Sequence, residues 1–155
     1  MKFTNLLPAL ALSSLLSVAA LAAPNFTGEW KLNASKSDFG PMPAPEKLLM
    51  KVDHKEPAIT VQNEQTTQQG EMKTEQTYST DGKENKNKNR NSEMISKLKW
   101  EGEALTIDSK LDFQGNEVSL KDNWTLSSDG KVLTIKRKIV APQGEFETVQ
   151  VLDKQ

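Results

Sequence analysis

The C-terminal third of the chain, residues 94–152, alternates apolar and polar positions in five consecutive runs. Short turns separate the runs, and each contains one glycine: Gly102, Gly115, Gly130 and Gly144. Alternation with period two is typical of strands with one buried face, and tight turns that contain Gly, Asn or Asp indicate hairpins. The pattern predicts a β-meander.

The first half of the mature chain continues this pattern less regularly. Strands are predicted at 25–34, 47–55, 58–64, 71–79 and 83–88. Residues 35–46 have proline at every second position from 41 to 45, which blocks helix formation and favours an extended connection. No apolar run outside the N-terminus has a helical period. We therefore predict an all-β, antiparallel up-and-down barrel of about eight to ten strands.

The turns also predict which residues face each other, because turn position determines strand register. Two-residue turns are assumed at Gly102-Glu103, Gly115-Asn116 and Asp129-Gly130. The pairs expected on one apolar face are Trp100–Leu105, Leu98–Ile107, Ser96–Ser109, Phe113–Val118, Leu111–Leu120, Ser109–Asp122, Ile107–Trp124, Leu120–Ile139, Trp124–Ile135, Leu126–Leu133 and Asp122–Arg137. All three turns place these pairs on the same face, which supports a common interior face.

One row of that face is polar and consists of Ser96, Ser109, Asp122 and Arg137. Burying an acid or a guanidinium alone costs several kcal/mol, so these two should pair or meet a ligand. One interpretation is a structural ion pair in a filled barrel. The other is the polar floor of a ligand cavity, in which Arg137 holds an anionic group such as a carboxylate.

Residues 84–91, ENKNKNRN, alternate asparagine with lysine or arginine. In a strand, one face would carry Asn85, Asn87 and Asn89, and the other would carry Lys86, Lys88 and Arg90. The run is interpreted either as a solvated hairpin whose lysines discourage edge-to-edge aggregation, or as a basic edge for an anionic partner.

Residues 1–22 have the features of a secretory signal peptide. Lys2 precedes an apolar run at 6–21, and Ala20-Leu21-Ala22 fits a small-x-small cleavage site. A transmembrane anchor is the alternative, but Pro8 and three serines interrupt the run and no basic flank follows it. Removing 22 of 155 residues leaves about 133, enough for one domain at 23–155. A periplasmic or secreted location is expected, with no membrane span after cleavage.

Composition limits the chemistry that this domain can carry. The net charge of −1 argues against a nucleic-acid binder, and the chain has no cysteine. His54 is the only histidine and is expected at the surface, so no metal site and no cofactor are predicted. Neither a G-x-S-x-G elbow nor a Gly-rich phosphate loop is present. The chain is predicted not to be an enzyme; an enzyme built on Asp122 is the third-ranked hypothesis.

The opening motif F-x-G-x-W-K-L, with Phe26, Gly28 and Trp30, resembles the first strand of the calycin superfamily. Residues 129–140, DGKVLTIKRKIV, are similar to a late hairpin of fatty-acid-binding proteins, whose carboxylate-binding arginine matches Arg137. Where that family has a further arginine and a tyrosine, this chain has Gln150 and Leu152. The helical lid of that family is also missing from this sequence.

The general pattern is closer to bacterial secreted lipocalin-like domains. The resemblance implies a calycin-like barrel with an apolar interior and half of a carboxylate clamp.

The sequence thus predicts a barrel that binds a small apolar or amphipathic ligand. The predicted ligand-binding residues are Ser96, Ser109, Asp122, Arg137, Trp30, Trp124 and Gln150. Leu98, Ile107, Ile135 and Phe146 are expected to complete the interior. The alternative is a filled barrel that acts as an envelope or protein-interaction module. A carrier should contain a cavity of a few hundred cubic ångströms, whereas a filled barrel should be close-packed.

Overall fold

The structure, a computed structural model, describes residues 22–89 and 91–155. It confirms the predicted antiparallel up-and-down barrel. The ten strands are β1 (Gly28–Leu32), β2 (Lys47–Lys55), β3 (Ala58–Thr67), β4 (Gly70–Ser79), β5 (Asn85–Asn89), β6 (Ser92–Glu101), β7 (Ala104–Phe113), β8 (Asn116–Leu126), β9 (Val132–Ala141) and β10 (Gly144–Lys154). The predicted signal peptide lies outside the described residues except for Ala22. Within those residues, no helix is long and apolar enough to cross a membrane.

The strands form one sheet in the order β4-β3-β2-β1-β10-β9-β8-β7-β6-β5. Each hairpin therefore joins neighbours in sequence, and β1 links the two halves by pairing with both β2 and β10. The connection after β1 contains a 3-10 turn at Ala34–Lys36 and then returns to β10, where Asp38 bridges Val149. It is otherwise non-helical, as its prolines predict.

Two of the three predicted hairpin registers are correct, and the β7–β8 register is wrong by two residues. Phe113 pairs with Asn116 instead of Val118, and Ile107 pairs with Asp122 instead of Trp124. The cause is the turn, which is Gln114-Gly115. Both residues have positive φ, 55° and 82°, as a type I′ hairpin turn requires. Because glutamine rarely adopts this conformation, the sequence favoured Gly115-Asn116 instead.

The two-residue shift preserves which face each side chain occupies but divides the predicted polar row. Ser96 still pairs with Ser109, and Asp122 with Arg137, as predicted. Ser109, however, lies opposite Leu120 instead of Asp122. The interior therefore contains two polar pairs offset by one step along the strands.

One end of the barrel is close-packed around the N-terminal segment. Phe26, Trp30, Leu105, Leu133 and Leu152 are completely buried there. Phe26 lies edge-to-face on Trp124, with ring centroids 5.6 Å apart. Dense apolar packing of this kind closes that end and leaves space only towards the other.

The barrel has a seam between β4 and β5, the two ends of the sheet order. Side chains of β5 bridge this seam by binding the backbone of β4. The Asn87 side chain accepts a hydrogen bond from the Thr77 N–H at 2.8 Å and donates one to the Thr77 carbonyl at 3.0 Å. The Asn85 Oδ1 accepts one from the Ser79 N–H at 2.7 Å. The asparagine face predicted from the 84–91 run thus closes the barrel, whereas Arg90 lies outside the described residues.

Candidate functional site

A cavity of about 160 Å³ lies inside the barrel. One wall is largely apolar and comes mainly from β2 and β6–β9, and the opposite wall carries amide and hydroxyl side chains of β3–β5. The lining residues are Leu48, Met50, Val61, Asn63, Gln65, Met72, Thr74, Gln76, Tyr78, Asn89, Met94, Ile107, Ser109, Leu120, Asp122, Trp124, Ile135, Arg137 and Gln150. The volume is smaller than the few hundred cubic ångströms expected for a carrier.

Asp122 and Arg137 form a two-point ion pair across β8 and β9 at the cavity wall. The Arg137 Nε donates to Asp122 Oδ1 and the Nη2 to Oδ2, each at 2.6 Å. The Asp122 side chain is 9% exposed and that of Arg137 is 34% exposed. The negative charge of Asp122 raises the pKa of the Arg137 guanidinium and outweighs burial, which acts in the opposite direction. The guanidinium is therefore positively charged, and Asp122 on the adjacent strand is its counter-ion.

The two serines of the predicted row satisfy each other. Their hydroxyl oxygens are 2.7 Å apart in a buried hydrogen bond between β6 and β7. Ser109 lines the cavity, whereas Ser96 is completely buried behind it. Ser96 therefore supports Ser109 from behind the cavity wall.

Trp124 supplies a buried polar atom without a partner. Its ring lines the cavity and its residue is 5% exposed, yet the indole N–H donates to no acceptor among the described residues. Such orphaned donors are rare in native interiors and cost free energy unless water or a ligand binds them. The nitrogen itself has almost no accessible surface, so the ring of Trp124 faces the cavity and its N–H group does not.

Tyr78 adds a second neutral polar group on the opposite wall, at the seam. It is 7% exposed, and no partner for its hydroxyl occurs in the described part of the chain. Burial, together with the charge of Asp122, raises the pKa of the Tyr78 phenol. The phenol therefore stays protonated and can donate or accept a hydrogen bond.

The alternation of apolar residues in the sequence does not predict the amide wall of the cavity. Asn63, Gln65, Gln76 and Asn89 all line the cavity. They alternate with outward-facing charged or polar residues, so the period of two is present but both faces of the strand are polar. A search for alternating apolar residues alone does not detect it.

The predicted site residues separate into two groups. Arg137, Asp122, Ser109, Trp124 and Gln150 line the cavity, as do Ile107 and Ile135 from the wider predicted interior. Trp30, Ser96, Leu98 and Phe146 do not line it. Trp30 instead lies in the packed end, where its indole N–H donates to the Phe26 carbonyl at 3.0 Å.

The expectation that His54 lies at the surface is wrong, because its residue is only 3% exposed. The ring stacks against Phe26 and Trp100, with centroids 5.8 and 6.1 Å away. Its Nδ1 accepts a hydrogen bond from the Phe26 N–H at 3.2 Å. Because that backbone group can only donate, the proton lies on Nε2, which donates to Glu56 Oε1 at 3.0 Å. His54 thus fixes the N-terminal segment.

Glu56 joins three elements at this closed end. Its carboxylate accepts hydrogen bonds from His54, from the Trp100 indole at 3.0 Å and from the Thr80 hydroxyl. Burial acts to raise the pKa of the Glu56 carboxyl, but the bonds from Thr80, His54 and Trp100 together lower it below its usual value. This polar cluster lies outside the cavity, so we assign it to stability.

Comparison with solved structures identifies the fold. A secretory abundant heat soluble protein from Ramazzottius varieornatus aligns with a TM-score of 0.64 and 13% identity, over 83% of this chain and 94% of its own. Zebrafish ileal bile acid-binding protein, complexed with cholic acid, aligns with a TM-score of 0.58 and 17% identity, over 84% and 98%.

Fatty-acid-binding protein 1 from Echinococcus granulosus aligns with a TM-score of 0.50 and 15% identity, over 83% of this chain and 96% of its own. No protein-family model and no curated protein matches the chain.

These similarities and the barrel topology show that the chain has the calycin fold. At such low identity they establish the architecture, and they leave the ligand to be inferred from the cavity itself.

Proposed function

We propose that this protein is an extracytoplasmic binding protein that holds a small amphipathic molecule inside its barrel. The observation that carries the proposal is the cavity, where apolar side chains meet the Tyr78 phenol and the amides of Gln65 and Gln150. A mostly apolar pocket with a few convergent polar groups is the usual form of a small-molecule site. Two of the fold's structural neighbours are named as binding proteins, for bile acid and fatty acid. We infer binding without catalysis.

The modest volume favours a second candidate, a filled barrel that acts through its surface. A cavity of about 160 Å³ is smaller than the roughly 300–1,000 Å³ of typical ligand pockets. Cavities of roughly 150 Å³ nevertheless hold a benzene-sized molecule. Binding of one single-ring molecule is therefore sterically feasible in this conformation.

A cavity-blocking substitution distinguishes the two candidates. Gln76→Trp places a large ring in the cavity, whereas the control Glu75→Trp places the same ring on the outer face of β4. We expect single-ring amphipathic and apolar compounds to bind wild type and Glu75→Trp, measured by calorimetry, but not a folded Gln76→Trp. If no compound binds wild type, or if blocking leaves binding unchanged, the cavity is not a ligand site.

The extracytoplasmic location rests on the predicted signal peptide alone. Expression of the full chain in a Gram-negative bacterium should yield a periplasmic protein whose N-terminus, determined by sequencing, is Ala23. Retention of the uncleaved chain in the cytoplasm would contradict this part of the proposal.

A further inference from the structure

The charged groups of the cavity neutralise each other, and this limits the ligands it can take. Both carboxylate oxygens of Asp122 and two nitrogens of Arg137 are used in the two 2.6 Å hydrogen bonds between them. An anionic ligand at Arg137 would have to compete with a carboxylate held in position by the adjacent strand. Displacing that carboxylate would leave it buried without a counter-ion, which is costly.

The cavity also presents uncharged polar groups that lack partners among the described residues. The phenol of Tyr78 lines the cavity and remains protonated. Gln65 and Gln150 contribute amides whose side chains make no hydrogen bond with the described residues. Amides and a phenol complement neutral donors and acceptors rather than a net charge.

Resting on the proposed function, we infer that the ligand is an uncharged amphipathic molecule, an amide or a similar neutral polar compound with one apolar face. Its polar group meets the Tyr78 phenol and the amide wall, and it lies beside the ring of Trp124. The apolar face of the ligand lies against Ile107 and Ile135, which line the wall opposite the amides. The Asp122–Arg137 pair selects against a free carboxylate, in contrast to the anion-holding role that the sequence allowed for Arg137.

Three compounds of nearly the same shape test this selection: phenylacetamide, phenylacetate and 2-phenylethylammonium. Calorimetry on wild type should give an affinity for phenylacetamide at least about tenfold higher than for either ion, because only the ions must be desolvated without a free counter-charge. Tyr78→Phe keeps the aromatic ring but removes the hydroxyl. It should weaken phenylacetamide binding by about three- to tenfold, the effect of one lost hydrogen bond.

A gain-of-function variant tests the cause of the selection. Asp122→Asn preserves shape but frees the Arg137 charge, so the ratio of phenylacetate affinity to phenylacetamide affinity should rise at least about tenfold. The gain does not depend on the Tyr78 variant folding well. An absent gain in a folded Asp122→Asn protein overturns the assignment of the ion pair as the selecting group.

The outcomes also separate this inference from the proposed function. If phenylacetate binds wild type at least as tightly as phenylacetamide, the inference is wrong and the binding function stands. If only the apolar analogue ethylbenzene binds, the inference is again wrong. If none of these compounds and none from the wider screen binds, the proposed function itself fails.

Discussion

Arg137 and Asp122 are the two charged residues that the sequence predicts inside the barrel. Both belong to a strand pattern that is otherwise apolar, and the structure joins them in a bidentate pair. Ser96 and Ser109 similarly satisfy each other. The polar residues that interrupt the apolar pattern of the sequence thus bond mostly to each other. A ligand would have to bind other polar groups of the cavity.

Removing one member of the ion pair should destabilise the fold. We expect Arg137→Ala to lower the free energy of unfolding by about 2–4 kcal/mol, because Asp122 is left without a counter-ion. Partial solvent access to the site reduces this cost. Urea denaturation measures the loss. The double variant Asp122→Leu/Arg137→Met should recover most of it, and a loss below about 1 kcal/mol in Arg137→Ala would contradict the burial of the pair.

Glu56 should make stability depend on pH in the acidic range. Its pKa is lowered in the folded protein, so its stabilising contribution is present above the unfolded value of about 4.3 and is lost as pH falls through the folded value. Since its side chain is 44% exposed, the contribution should not exceed about 1 kcal/mol.

Thermal melts of wild type and Glu56→Gln from pH 7 to pH 3 provide the measurement. The difference between their melting temperatures should shrink at the acidic end of this range. A constant difference would mean that ionisation of Glu56 does not contribute.

At the scale of elements, the β4–β5 seam is the weakest junction of the barrel, because side chains replace a backbone ladder there. Asn85→Ala/Asn87→Ala should cost about 2–3 kcal/mol, from several hydrogen bonds at about 1 kcal/mol each. Amide exchange of Thr77 and Ser79 should accelerate, since their N–H groups donate to these asparagines.

The matched control for the seam is Lys86→Ala/Lys88→Ala, on the outer face of the same strand. It should change stability by less than about 0.5 kcal/mol. Equal effects of the asparagine and lysine variants would show that β5 is not held by its asparagines.

The Gln114-Gly115 turn gives a test of the β7–β8 register. Asparagine tolerates positive φ better than glutamine, so Gln114→Asn should stabilise the protein by about 0.5 kcal/mol. Gly115→Ala, at φ 82°, should destabilise it by about 1 kcal/mol or more. The opposite order in chemical denaturation would favour the alternative turn at Gly115-Asn116.

Strand alternation was sufficient to predict the barrel and most of the facing pairs, because a period of two directly reports which side of a sheet is buried. It failed where the information was not carried by an alternation of apolar residues. The β7–β8 register depends on a glutamine in an unfavourable conformation, and the burial of His54 depends on Phe26, 28 positions away along the chain. The amide wall was missed because its alternation is polar on both faces.

At the scale of the whole molecule, the barrel is closed and packed at one end and contains its small cavity towards the other. Phe26, His54 and Trp100 stack to close the first end, so the ligand must enter elsewhere. The cavity volume of about 160 Å³ suits the proposed ligand, a single-ring molecule with neutral polar groups. We expect such a molecule to bind beside the ring of Trp124.

The most direct test follows the three indole N–H resonances in a ¹H–¹⁵N spectrum during titration with phenylacetamide. The Trp30 and Trp100 indoles already donate to Phe26 and Glu56, whereas the Trp124 indole has no acceptor within the described residues. We predict that the Trp124 resonance moves with saturation while the other two remain nearly in place. An unmoved Trp124 resonance at saturating ligand would contradict binding in the cavity.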